Sequence, residues 1–165
     1  MGTINVDNIK DGAGGENVHM AGAVLQVVQA IDTTQEANAS NSYSTAISTS
    51  ITPKFSDSKV LINVSGMATP DTNNQVGFKL LRGSTEIGSG TGASVQNYLF
   101  GIGTTQSDFE MTPFAHTHLD SPATTASTTY TLQYAALNGT AKLGGRADNT
   151  DNSGATTITL IEIGQ

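Results

Sequence analysis

The chain has 165 residues, carrying 7 lysines and arginines against 14 aspartates and glutamates for a formal net charge of −7. An acidic chain without a basic cluster repels phosphate backbones, which argues against nucleic acid as a partner. The complete lack of cysteine excludes disulfides, thiol nucleophiles and thiolate metal sites, and no stretch approaches the roughly 20 apolar residues of a membrane-spanning helix, so membrane insertion is not expected.

The size suits one domain with a real core plus an arm. With 18 glycines, abundant serine and threonine and only 13% charged residues, the composition points to strands rather than helices. Residues 1–20 combine alternating apolar positions (Ile4, Val6) with the glycines of DGAGG, a short extended segment followed by a flexible elbow. From residue 21 to 165 the texture changes to strand-length apolar runs separated by polar clusters, with no sustained helical period.

The runs fall at 23–31, 46–53, 58–66, 75–83, 110–119, 128–137, 140–145 and 156–164, with shorter pieces around STEIG and VQNYLFG. In TTYTLQYAAL, Tyr130, Leu132, Tyr134 and Ala136 share one face and Thr129, Thr131 and Gln133 the other, the alternation of a half-buried strand. The Asn138-Gly139 pair that follows suits a type I′ turn and predicts a hairpin with 140–145. About eight antiparallel strands in one such chain predict an all-β, two-sheet sandwich of the jelly-roll type with an extended N-terminal arm.

Two strands are apolar on both faces. In the first, Leu25, Val27 and Ile31 oppose Val24, Val28 and Ala30; in the last, Ile158 and Leu160 oppose Ile161 and Ile163. Such a sheet needs covering twice; a second copy of the chain is the natural cover, which predicts a homo-oligomer, and the N-terminal arm or a long loop is the alternative cover.

The segment FAHTHLD places two of the three histidines at alternate positions. Met111, Ala115 and Leu119 share one face of that strand and Phe114, His116, His118 and Asp120 the other; with the first set in the core, the imidazoles face water or a neighbouring subunit. Three readings stay open. His116 and His118 from several copies converge on a symmetry axis and hold a metal ion; the pair belongs to a small metal-dependent enzyme; or both are polar surface residues. The H-x-H pattern is similar to that of metal-dependent cupins, but no glutamate follows at the required place and no histidine occurs after His118. No other catalytic constellation is present in the sequence. GSGTGA (88–93) lacks a following helix that would give it a phosphate site, and DNTDNSG (148–154) lacks the spacing of a calcium loop. The protein reads as a non-enzyme without a cofactor, apart from the possible metal on the axis.

The segments GTINVDNIKDGAGG, VLQVVQA, ITPKFSDSKVLINVSG, FKLLRGSTEIG, HLDSPATTASTTYTLQY and TTITLIEIG together resemble, in order and spacing, small Gly/Ser/Thr-rich virion appendage proteins of phages of aquatic bacteria, cyanophages in particular. The resemblance implies a trimeric jelly roll made in the host cytoplasm and displayed on the virion as a fibre, knob or decoration that contributes to host attachment. It implies that residues 1–20 dock on a capsid or tail protein, with Ile4, Val6 and Ile9 filling pockets as an added edge strand. Tyr98 and Phe100, with rigid aromatic faces, are the candidate contacts to a host surface glycan or protein, the alternative being that Tyr98, Leu99 and Phe100 pack under a loop within the trimer. A capsid cement protein that never touches the host is the alternative. No heptad or long repeat is present, so a compact appendage fits better than a complete shaft.

Overall fold

The computed structural model describes residues 21–71, 74–91, 98–103, 110–146, 148 and 150–165. The expected arm, with Ile4, Val6 and Ile9, lies outside the described residues. Among the described residues there is no helix, and eleven strands form two antiparallel sheets. They are β1 (Val24–Asp32), β2 (Glu36–Asn38), β3 (Ser44–Ile51), β4 (Lys59–Pro70), β5 (Val76–Arg82), β6 (Thr85–Ile87), β7 (Phe100–Ile102), β8 (Thr112–Asp120), β9 (Thr128–Ala136), β10 (Ala141–Leu143) and β11 (Thr156–Ile163).

The first sheet is organised around the 12-residue β4. One edge of β4 pairs with β8 along Val60–Ala68; the other pairs first with β11 and then, further along, with β10. β1 extends the sheet beyond β11, and β2 extends it beyond β10. In the second sheet β5 has the same role, with β9 along one edge and the short β6 and β7 sharing the other, while β3 lies outside β9.

The core lies between the sheets. Val60, Ile62, Val64, Ile158 and Leu160 from the first meet Ile51, Val76, Phe78, Leu80, Tyr130, Leu132 and Tyr134 from the second, all close to fully buried. The side-chain period of 2 sends alternate residues of each strand into this layer, and the expected alternation of 128–137 appears in β9. Gly66 shows how tightly β4 and β8 fit. A Cβ there would lie 2.7 Å from Cζ of Phe114, so the ring occupies the room a side chain would take.

Two expectations are overturned. The Asn138-Gly139 turn does not close a hairpin, because β9 belongs to the second sheet and β10 to the first. Gly139 has φ of 67°, but Asn138 does not share the positive φ that a type I′ turn requires. The chain instead crosses between sheets, braced from the side. Asn74 Oδ1 accepts the backbone N–H of Asn138 at 2.8 Å, and Asp71 Oδ2 accepts that of Thr140 at 2.8 Å. The second correction concerns β1, where a register shift between Val24 and Gln26 brings Val24 opposite Ile163. An inserted residue of this kind turns everything before it to the other side. Val24 is therefore exposed with Val27 and Ile31, away from Val28 and Ala30.

Candidate functional site: the outer face of the first sheet

Pairing registers define what the first sheet shows to the outside. Val27 lies opposite Ile161, Ile161 opposite Leu61, and Leu61 opposite Leu119. Four strands thus contribute one apolar residue each to a continuous row. Val27 is 58% exposed and Leu119 49%, although nothing in their chemistry favours water. Val24 and Ile163 extend the apolar surface on one side. Every exposed large hydrophobic residue among those described, namely Val24, Val27, Ile31, Met67 and Leu119, lies on this one face. The clustering separates it from the scattered apolar exposure of any protein surface.

The next row is polar but already satisfied. Gln29, Thr159, Asn63 and Thr117 follow one another across β1, β11, β4 and β8. Gln29 Nε2 donates to Thr159 Oγ1 at 2.8 Å, and Thr117 Oγ1 donates to Asn63 Oδ1 at 2.7 Å. One row on, the hydroxyls of Ser65 and Thr157 lie 2.7 Å apart. Polar groups that bond one another across strands lose less when water is removed than open ones do. On the outward positions of these four strands the one charged residue is Lys59, at the margin. The outer face of the second sheet differs in kind: Thr45, Ser48, Ser50, Thr129, Thr131 and Gln133 line it, as expected of a face left to water.

The histidines lie inward, opposite to the expectation. His116 and His118 stand across from Val64 and Ile62 on the core side of the first sheet, whereas Pro113, Ala115, Thr117 and Leu119 point out. His116 stacks on Phe100 with centroids 5.5 Å apart and 18° between planes. His118 packs against Gly88, where a Cβ would lie 2.9 Å from its Nδ1. Burial, followed by the neighbouring His118, holds the His116 pKa below the ordinary value.

Asp120 explains the choice of face. Its carboxylate accepts Arg82 Nη1 at 2.8 and 3.0 Å and the Tyr130 hydroxyl at 2.7 Å, tying β8 to β5 and β9 across the sandwich. Burial and the adjacent carboxylate push the Tyr130 phenol far up. With Asp120 and Phe114 pulled inward, every second residue between them follows. Imidazoles aimed between the sheets do not present the outward geometry that a metal on a symmetry axis requires. Among the described residues no group of three or more metal-ligating side chains exists.

Tyr98 and Phe100, expected to act together, separate. Phe100 faces the core, stacked on Phe78 at 4.5 Å and tilted against Phe114 at 5.6 Å, and so offers no free ring face to a receptor. Tyr98 lies on the outer side of the second sheet, over Gly77 and Gly101. At the first sheet's margin, Glu162 is fully buried and accepts Gln26 Nε2 at 2.5 Å and the Lys54 N–H at 2.7 Å. Burial alone would raise its pKa, but these donors outweigh it and hold the carboxyl below the usual range. The role is structural, pinning the 52–55 loop to β11.

No protein-family model and no curated protein matches the chain.

Proposed function

We propose that this chain is a structural protein of a phage particle, a jelly-roll appendage that assembles as a homotrimer. In this reading the outer face of β1, β11, β4 and β8 is covered by further copies of the chain, residues 1–20 attach the assembly to a capsid or tail protein, and the exposed remainder contributes to host attachment. The observation that carries the assembly step is the Val27–Ile161–Leu61–Leu119 row. The virion and threefold parts rest on the resemblance of the sequence blocks.

Several features favour a second copy as the occupant. The chain carries −7 overall, so two copies repel at most orientations, and this face, whose one charge is Lys59 at the margin, is where they approach at least electrostatic penalty. The face offers an apolar row beside a satisfied polar one, both of which lose little when water is removed. Four strands about 4.8 Å apart and eight residues of about 3.3 Å rise present roughly 500 Å². Three such faces brought together around an axis remove about 1,500 Å² from water in all.

The first test is solution mass by light scattering on the full chain at micromolar concentration. A trimer is expected for the native chain and a folded monomer for Leu61→Glu combined with Leu119→Glu; a native monomer would overturn the assembly step. Particle association is tested by immunogold labelling of purified virions, and protein found in infected-cell cytosol alone would overturn it.

A further inference from the structure

The outer side of the second sheet has one feature that its serines and threonines do not explain. Gly77 of β5 lies opposite Gly101 of β7, so two neighbouring strands are bare of side chains at the same level. The Tyr98 ring occupies that gap. A Cβ on Gly101 would meet its Cε2 at 2.9 Å, and a Cβ on Gly77 would meet its Cδ1 at 3.3 Å. Those atoms are diagonal across the ring, so the ring straddles both glycines with one face on the backbone. Tyr98 remains half-buried, and beside it opens a notch of about 140 Å³ with Gln75, Ile102 and Gly103 on its walls.

A second aromatic residue converges on the same floor. The Tyr43 hydroxyl would lie 3.0 Å from a Cβ at Gly77, is itself buried, and has no hydrogen-bond partner. A buried hydroxyl without a protein partner keeps an unused donor and acceptor beside this floor. Lys79 Nζ stands 4.7 Å above the Tyr43 ring and is neutralised by Glu86 at 2.7 Å. Gln133 lies opposite Lys79 on β9.

We infer that Tyr98, with Tyr43 and Gln75 beside it and Gln133 further along the sheet, is a binding platform for a neutral pyranose, such as a terminal sugar of a surface glycan. A sugar ring presents a flat C–H face that stacks on an aromatic ring, and rim hydroxyls that need amide and hydroxyl partners at its edge; this site supplies both. A neutral sugar is favoured over an acidic one because the chain carries −7 and the nearby lysine is already paired. The inference deepens the host-attachment part of the function proposed above, and it names Tyr98 without Phe100.

The test is saturation-transfer NMR and calorimetry on the full chain with methyl glycosides of glucose, galactose, mannose and N-acetylglucosamine, and with sialic acid as the acidic control. Millimolar binding of at least one neutral glycoside is expected, with no binding of sialic acid. Tyr98→Ala should weaken binding at least about tenfold while Tyr98→Phe retains it. Tyr43→Phe provides the safeguard against misfolding, since removing an unmatched hydroxyl should leave the melting temperature unchanged or higher while binding weakens. No binding of any neutral glycoside, preference for the acidic sugar, or binding indifferent to both tyrosines would overturn the inference. None of these outcomes bears on particle labelling or on the solution mass, so the structural role stands or falls separately.

Discussion

Asp120 holds three elements through one carboxylate, and the two sheets are joined there more firmly than by apolar contact alone. Removing the phenol in Tyr130→Phe deletes a charge-assisted hydrogen bond in a buried place and should lower stability by about 2 kcal/mol in urea denaturation. Asp120→Ala leaves the buried Tyr130 hydroxyl unmatched and Arg82 with the Ser121 carbonyl alone, and should be more damaging, about 3 kcal/mol. A double-mutant cycle should give a coupling well above that of an exposed pair such as Lys79–Glu86. His116 makes the fold sensitive to acid. Its pKa in the fold is lowered, so the unfolded chain binds the proton first. The stabilisation is complete above the ordinary histidine value near 6.5 and declines as pH falls below it. The denaturation midpoint should therefore fall between pH 7 and pH 5, and His116→Phe should flatten that decline. The sequence showed which residues of 110–119 share a face, since a period of 2 fixes that. It did not show which face is inward, because Arg82 and Tyr130, which decide it, are distant along the chain and carry no local signal.

At the level of elements, strand positions were largely legible. The apolar runs at 23–31, 46–53, 58–66, 75–83, 110–119, 128–137 and 156–164 became β1, β3, β4, β5, β8, β9 and β11, and the run at 140–145 contains β10. β2 was missed, since the three residues Glu-Ala-Asn have no apolar alternation and pair only because β10 lies beside them. The Asn-Gly pair misled for a related reason, as turn chemistry describes a local bend and not the sheet the chain enters next. Here Asn74 directs the crossing, with its Oδ1 accepting the N–H groups of both Gln75 and Asn138. Asn74→Ala should lower stability by about 2 kcal/mol through the unmatched donors it leaves. The melting curve is the measurement that checks this. Amide exchange near Asn138 and Thr140 should also quicken more than in β11.

On the scale of the whole molecule, the two sheets have different exteriors, one lined by hydroxyls and the other crossed by an apolar row. The doubly apolar character of the first and last strands was visible in the sequence. The contributions of Leu61 and Leu119 were not, because they follow from β4 and β8 lying beside those strands in a particular register. If copies of the chain meet on this face, salt should strengthen the association, since screening weakens the mutual repulsion of acidic copies without weakening apolar contact. Sedimentation at low and high ionic strength checks the sign, and an assembly that dissociates in salt would point to charge pairing instead.

β4 is the keel of the first sheet, and its length has a mechanical consequence. β11 and β10 rest in tandem on one of its flanks while β8 runs along the other, so neither end can be pulled loose without disturbing the part they share. Opening the sheet at β4 therefore disturbs β8, β10 and β11 together, whereas β1 and β2, each held along one side only, are where fraying starts. Amide protons at the middle of β4 should accordingly be the last of the first sheet to exchange, and those of its margins the first.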